Sequence, residues 1–196
     1  MLRVLILYAN PVAASFGAAL HARVAEVLRS NGHDVDDCDL YAERFDPILS
    51  GDEREQYKDL NVNRTRVASY VDRVLAAEAL ILVYPVWNEG FPAILKGFFD
   101  RVFIPGVSFQ VGPGGSLKPG LGNLKKLAAV CSYGADRLSS ILMGDPPRRV
   151  VKRLLRSTAG RHISCEYIAC YNMNSSTFER RSAFLAKVER AFRAWG

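Results

Sequence analysis

Residues 79–103 read ALILVYPVWNEGFPAILKGFFDRVF, and the pattern changes twice within them. Ala79–Val83 is an unbroken apolar run, the pattern of a strand buried on both faces of a parallel sheet. Residues 84–91 then interrupt it with Pro85, Val86, Trp87, Asn88 and Gly90. A turn that only joined two elements could be short and polar; one that carries an indole is shaped to meet something flat. From Pro92 onward the spacing is helical, with proline tolerated at the first turn and a face of Phe, Ile and Leu behind it.

Working outward, the same alternation of strand and helix fills the chain. Residues 2–8 form an apolar strand pattern, and residues 17–31 carry Leu20, Val24, Val27 and Leu28 on one helical face before the stop signal Asn31-Gly32. HDVDDCDLY (33–41) alternates like a strand at a sheet edge, exposed on one side. Residues 42–62 are irregular and charged. A helix over 64–77 precedes the buried strand. Residues 105–122 read as a glycine- and proline-rich loop, and KKLAAVCSYG (125–134) as a fourth strand. A helix within 145–158, a strand at 162–171 and a helix at 176–194 complete the pattern. Five strands alternating with helices predict one α/β domain over residues 1–196, a doubly wound parallel sheet with helices on both faces.

Composition agrees with a single globular domain. The chain has 196 residues, 49% hydrophobic and 23% charged, and no run approaches a membrane span. The apolar N-terminus is too short for a signal peptide and lacks a small-residue cleavage site, which predicts a cytoplasmic protein. Four cysteines (Cys38, Cys131, Cys165, Cys170) and three histidines (His21, His33, His162) show no metal-ligand spacing and read as structural. The net charge is +6. Its densest basic run, Arg148–Arg161, places Val150, Val151, Leu154 and Leu155 at helical spacing, the mark of a solvated basic helix face more than of a nucleic-acid surface. A basic surface also favours anionic small molecules such as phosphorylated cofactors.

In a doubly wound sheet, ligands sit beyond the carboxyl ends of the strands, where strand order reverses. The loops to read are therefore 9–16, 84–91 and 132–136. The first runs through Asn10 and Ser15 into Phe16 and Gly17 at a helix start, where unpaired amides and the helix dipole accept phosphate; Ser15 suits either a phosphate ligand or a helix cap. Neither G-x-G-x-x-G after the first strand nor G-x-x-x-x-G-K-[ST] occurs, which disfavours the two commonest nucleotide loops. A phosphoacceptor receiver would need acidic residues that the chain lacks after strands one and three. Pro85, Val86, Trp87 and Asn88 offer an apolar wall, and Ser132, Tyr133, Gly134 and Ala135 offer turn amides able to meet a ring carbonyl.

Together these residues resemble the flavodoxin-like NAD(P)H:quinone oxidoreductases, the family of DT-diaphorase and its shorter bacterial relatives. The resemblance covers most of the chain: ILYANPVAASFGAALH is similar to the family's phosphate loop and CDLYAERFDPILS to its segment after strand two. YPVWNEGFPAILKGFFDRVF is similar to its P-x-x-W-x-x-x-P-A-x-L-K-G signature, and VGPGGSLKPGL to the insertion of short bacterial members. It implies a bound flavin, FMN or else FAD, with FMN favoured by the short C-terminus. It further implies NAD(P)H as co-substrate, two-electron reduction of a quinone-like acceptor by a ping-pong scheme, and a homodimer. By position, Asn10, Ser15, Phe16 and Gly17 hold the phosphate and ribityl chain. Pro85, Val86, Trp87 and Asn88 line the ring, and Ser132, Tyr133, Gly134 and Ala135 meet its pyrimidine edge. The sequence departs from the family at Asn10 (often His), at Asn88 (often aromatic) and at Ser-Tyr-Gly-Ala (commonly Thr-Thr-Gly-Gly). No catalytic side chain aligns; Tyr133 is the one candidate for a hydroxyl near the flavin. Alternatives are an azo- or nitroreductase on the same flavin, and a regulatory flavoprotein bound to a membrane transporter.

Overall fold

The computed structural model describes residues 1–160 and 162–196; Arg161, the last residue of the basic run, lies outside them. Seven strands occur among the described residues: β1 (Arg3–Tyr8), β2 (Asp34–Asp39), β3 (Ala79–Val86), β4 (Phe109–Val111), β5 (Leu117–Pro119), β6 (Lys126–Tyr133) and β7 (Ser164–Cys170). Five of them form one parallel sheet in the order β2-β1-β3-β6-β7. The helices are α1 (Phe16–Ser30), α2 (Gly51–Glu55), α3 (Ala68–Ala76), α4 (Ala93–Val102), α5 (Arg137–Leu142), α6 (Pro146–Arg149), α7 (Arg156–Ala159) and α8 (Phe178–Arg193). A π-helical segment, Val150–Leu155, joins α6 to α7 into one continuous rod.

The period-two geometry of the strands divides the core in two. Leu5, Leu7, Leu80, Leu82, Leu127 and Ala129 face α3, α4 and the 146–159 rod. Val4, Ile6, Ile81, Val83, Ala128 and Val130 face α1 and α8. All eight residues of β3 are buried, as expected of a central strand flanked on both faces, whereas β2 at the edge buries only Cys38 fully. The four cysteines are free thiols, and burial pushes the Cys131 thiol up to about 12.

Register sets the shape of the sheet's upper rim. β1 ends at Tyr8 opposite Val83, but β3 continues to Val86 in pairing with β6 as far as Tyr133. The central strands thus stand three residues, about 10 Å, above the end of β1. The loop after β1 lies beside this step.

Several elements depart from the sequence reading. The buried strand runs three residues past Val83, so Tyr84, Pro85 and Val86 belong to β3 and only Trp87–Gly90 is turn. The 105–122 segment is not simply a loop: β4 and β5 pair as an antiparallel hairpin within it. The irregular 42–62 stretch contains α2, begun by a capping box in which Ser50 and Glu53 satisfy each other's backbone amides. Helix α5 has no counterpart in the sequence reading. No described helix is long and apolar enough to cross a membrane.

The loop before α2 is locked to α4. A Cβ at Gly97 would stand 2.2 Å from the Pro47 carbonyl oxygen, so only glycine permits this approach. Arg101 on the same helix donates from Nε and Nη2 to Glu53 Oε1 at 2.9 and 2.7 Å and from Nη1 to the Asp46 carbonyl. Arg101 is buried, and the Glu53 side chain is largely covered. Gly97 and Arg101 of the 79–103 stretch are therefore clamps on the loop after β2.

Candidate cofactor site at the sheet rim

Three connections meet above β1, β3 and β6. In the first, the Asn10 side chain folds back, its Oδ1 accepting from the Val12 amide at 3.0 Å. Gly17 leaves room for it, since a Cβ there would lie 2.5 Å from Asn10 Nδ2 and push that side chain aside. Ser15, in extended conformation, caps α1: its Oγ accepts from the Ala18 amide at 3.1 Å. The two readings of Ser15 are compatible, because a hydroxyl that accepts in a cap still has its proton to donate. The amides of Ala13 to Gly17 find no partner among the described residues. They gather at the positive end of a 15-residue helix, a donor set that fits a phosphate. Phe16 turns away from this nest and packs on Phe184 of α8, so its amide and not its ring faces the loop. Below, Tyr8 stacks on His21 with ring centroids 4.1 Å apart, and its buried hydroxyl stands without a hydrogen-bond partner.

The second connection is a two-residue hairpin. The Trp87 amide donates to the Gly90 carbonyl at 3.2 Å, and the Gly90 amide donates to the Trp87 carbonyl at 2.9 Å. Asn88 and Glu89 between them are both left-handed, with φ of 49° and 54°. Asparagine tolerates this region and glutamate does not, a strain of roughly 1–2 kcal/mol. Glu89 is held by α5, where Ser140 Oγ donates to its Oε1 at 3.4 Å, while its buried Oε2 has no partner. The hairpin presents Trp87 outward with 44% of its surface exposed. Pro85 and Val86 lie buried below in β3, so of this quartet only Trp87 and Asn88 reach the rim as side chains.

In the third connection Gly134 is exposed, Ser132 and Ala135 are half-buried, and the amides of Gly134 and Ala135 find no partner among the described residues. Asn172 of the next connection donates its amide to the Ala135 carbonyl at 2.9 Å, and a Cβ on Gly134 would stand 3.1 Å from Asn174 Nδ2. Asp136 caps α5 through the Ser139 amide and hydroxyl, at 2.9 and 2.6 Å. Tyr133 differs from its sequence reading. Its side chain is 1% exposed, its hydroxyl donates to Asp145 at 2.6 Å, and Tyr167 Oη lies 2.6 Å away on the same oxygen. Burial pushes its phenol far above the ordinary range. A phenol so placed does not exchange protons near neutrality; what Tyr133 brings to the rim is backbone.

The rim is a shelf, and two open clefts lie beside it. One cavity of about 500 Å³ is lined by Phe91, Phe99, Phe103 and Phe109, and another of about 630 Å³ by Tyr57, Leu60, Pro105 and Val111. Phe91, directly after the Trp87 hairpin, joins the first of these to the shelf. Sequence reasoning missed Glu89, because nothing in the residue type marks a glutamate for left-handed backbone. It also missed Asn172 and Asn174, which only the pairing of β6 with β7 brings alongside Gly134.

A profile of the flavodoxin-like fold matches residues 2–192. An uncharacterised NAD(P)H oxidoreductase of Haemophilus influenzae is 35% identical over 67% of this chain, a stretch covering 64% of that protein. An FMN-dependent NADH:quinone oxidoreductase of Clostridium perfringens is 30% identical over 70% of this chain and 67% of its own length. Among solved structures, the NAD(P)H:quinone oxidoreductase of Methanothermobacter marburgensis is 25% identical and superposes with a TM-score of 0.85, covering 100% of this chain and 99% of that one.

Proposed function

Because the chain belongs to the flavodoxin-like family of NAD(P)H:quinone oxidoreductases, we propose that it is an FMN-dependent enzyme reducing quinone-like acceptors with NAD(P)H in alternating half-reactions. The observation that carries this reading is one shelf that joins a nest of five unpartnered amides to an exposed indole on a strained turn. A planar ring with a phosphate tail needs both, at the two ends of one surface. When bound, FMN supplies the two-electron chemistry of hydride exchange.

The chain's residues bind and orient. Ser15 and the amides of Ala13 to Gly17 hold the phosphate. Trp87 and Asn88 wall one side of the ring, and the strain at Glu89 fixes the angle of that wall. The Gly134 and Ala135 amides would serve as donors to the carbonyl edge of the ring. Positioning carries the rate, and no side-chain acid or base is assigned.

A homodimer completes the reading. The β4–β5 hairpin exposes Val111 and Leu117 (61% and 69%), and Leu154 is 59% exposed; Leu154 lines the cavity beside Phe91 and Val111 the other one. Uncovered apolar surface of this kind suits a second copy. Purified protein is expected to be yellow, to release FMN identified by mass, and to oxidise NAD(P)H with a soluble quinone. Protein that stays colourless after incubation with FMN overturns the assignment.

A further inference from the structure

A third cavity, of about 390 Å³, opens between α5 and the 146–159 rod. Arg137 from α5 and Arg148, Arg149, Lys152 and Arg153 from the rod all line it. None of these five cations forms an ion pair among the described residues, although Arg3, Arg23, Arg29, Arg66, Arg73, Lys96, Arg101, Lys125 and Arg193 all do.

The grouping is built, not incidental. In a π-helix hydrogen bonds run from i to i+5, so residues four and five apart share a side, and Arg148, Arg149, Lys152 and Arg153 project together. Gly144 (φ 90°) and Asp145 (φ 44°) are consecutive left-handed residues that reverse the chain from α5 into the rod, and Asp145 is tied down through Tyr133. The Arg149 guanidinium lies against Gly144, where a Cβ would stand 3.5 Å from its Nη1. Arg148 is set in place over the Tyr167 ring at 5.4 Å. Like charges at this spacing repel, and one buried carboxylate already bonded to Tyr133 does not balance five of them. An anion of high charge density does, and Arg meets phosphate with paired donors.

The cleft lies within reach of the shelf. Helix α5 starts two residues after Ala135 and spans six residues, about 9 Å. One end of a dinucleotide on the shelf therefore leaves its other end at the cleft. We propose that this cleft holds the 2′-phosphate of NADPH and makes NADPH the preferred electron donor. The proposal rests on the oxidoreductase reading above for the identity of the nucleotide.

Titration calorimetry with adenosine 2′,5′-bisphosphate and with ADP tests it directly, because the two differ in where the second phosphate sits. The bisphosphate is expected to bind wild type about tenfold or more tightly than ADP. The doubly substituted Arg149→Ala, Arg153→Ala protein is expected to lose that margin while melting at the wild-type temperature. In steady-state assays the same variant lowers the ratio of kcat/KM for NADPH over NADH by a similar factor. Equal affinity for the two nucleotides, or a margin that survives the double substitution, overturns the proposal. Failure of the oxidoreductase reading registers separately, as absence of FMN from the purified protein, which the titration does not use.

Discussion

At the scale of single residues, Trp87, Asn88 and Glu89 separate local cost from local use. A left-handed glutamate is unfavourable, yet here it angles an indole outward and is anchored by Ser140 of another element. With 44% of its surface exposed, Trp87 contributes little to the core. Trp87→Ala is therefore expected to weaken FMN retention about tenfold or more, by analogy with loss of an aromatic stacking partner, while the melting temperature falls only slightly. Fluorescence titration of the apoprotein and a thermal melt measure the two quantities, and equal loss of both places Trp87 in the core instead. Tyr133 shows the reverse. Removing its hydroxyl in Tyr133→Phe leaves buried Asp145 short of a donor and costs about 1–3 kcal/mol, read from urea denaturation. Turnover per bound FMN is expected to stay at the wild-type level, and a collapse of turnover would return the hydroxyl to the chemistry.

At the scale of elements, α4 links the site to the rest of the fold. Gly97→Ala drives a methyl group into the Pro47 backbone and is expected to cost about 1–3 kcal/mol or more in chemical denaturation. Arg101→Ala strips the largely covered Glu53 carboxylate of its cation while Ser50 still donates to it, a loss of about 1–3 kcal/mol at neutral pH. Burial alone raises the Glu53 carboxyl, but the Ser50 amide and the Arg101 guanidinium outweigh it and hold it below its ordinary value of 4.5. A depressed folded-state value means the pair's stabilisation is complete above about 4.5 and is lost as pH falls through the lower folded value. The gap in stability between wild type and Arg101→Ala should accordingly narrow below pH 4.5. A gap that is constant with pH removes Glu53 from the account.

At the scale of the whole molecule, apolar surface on the β4–β5 hairpin and beside α4 predicts association. Sedimentation equilibrium is expected to give twice the 21.7 kDa chain mass, and Val111→Asp with Leu117→Asp to give the single mass. A wild-type protein at the single mass removes the dimer.

The sequence by itself determined the layered α/β order. A strand buried on both faces must be apolar throughout and a helix on a sheet must repeat its apolar residues near every 3.6 positions; both constraints act over a few residues and are written there. For the same reason the three connections at Ser15, Trp87 and Gly134 were legible as breaks in the apolar pattern at strand ends. Only the tertiary structure decided how far each strand runs at the rim, because a strand's end depends on whether its neighbours continue to pair with it. It also turned Tyr133 and Phe16 inward, paired Glu53 with Arg101, and brought Arg137 of α5 to the basic run of the rod. These are contacts between residues distant in sequence, and no local pattern encodes a partner that folding alone supplies.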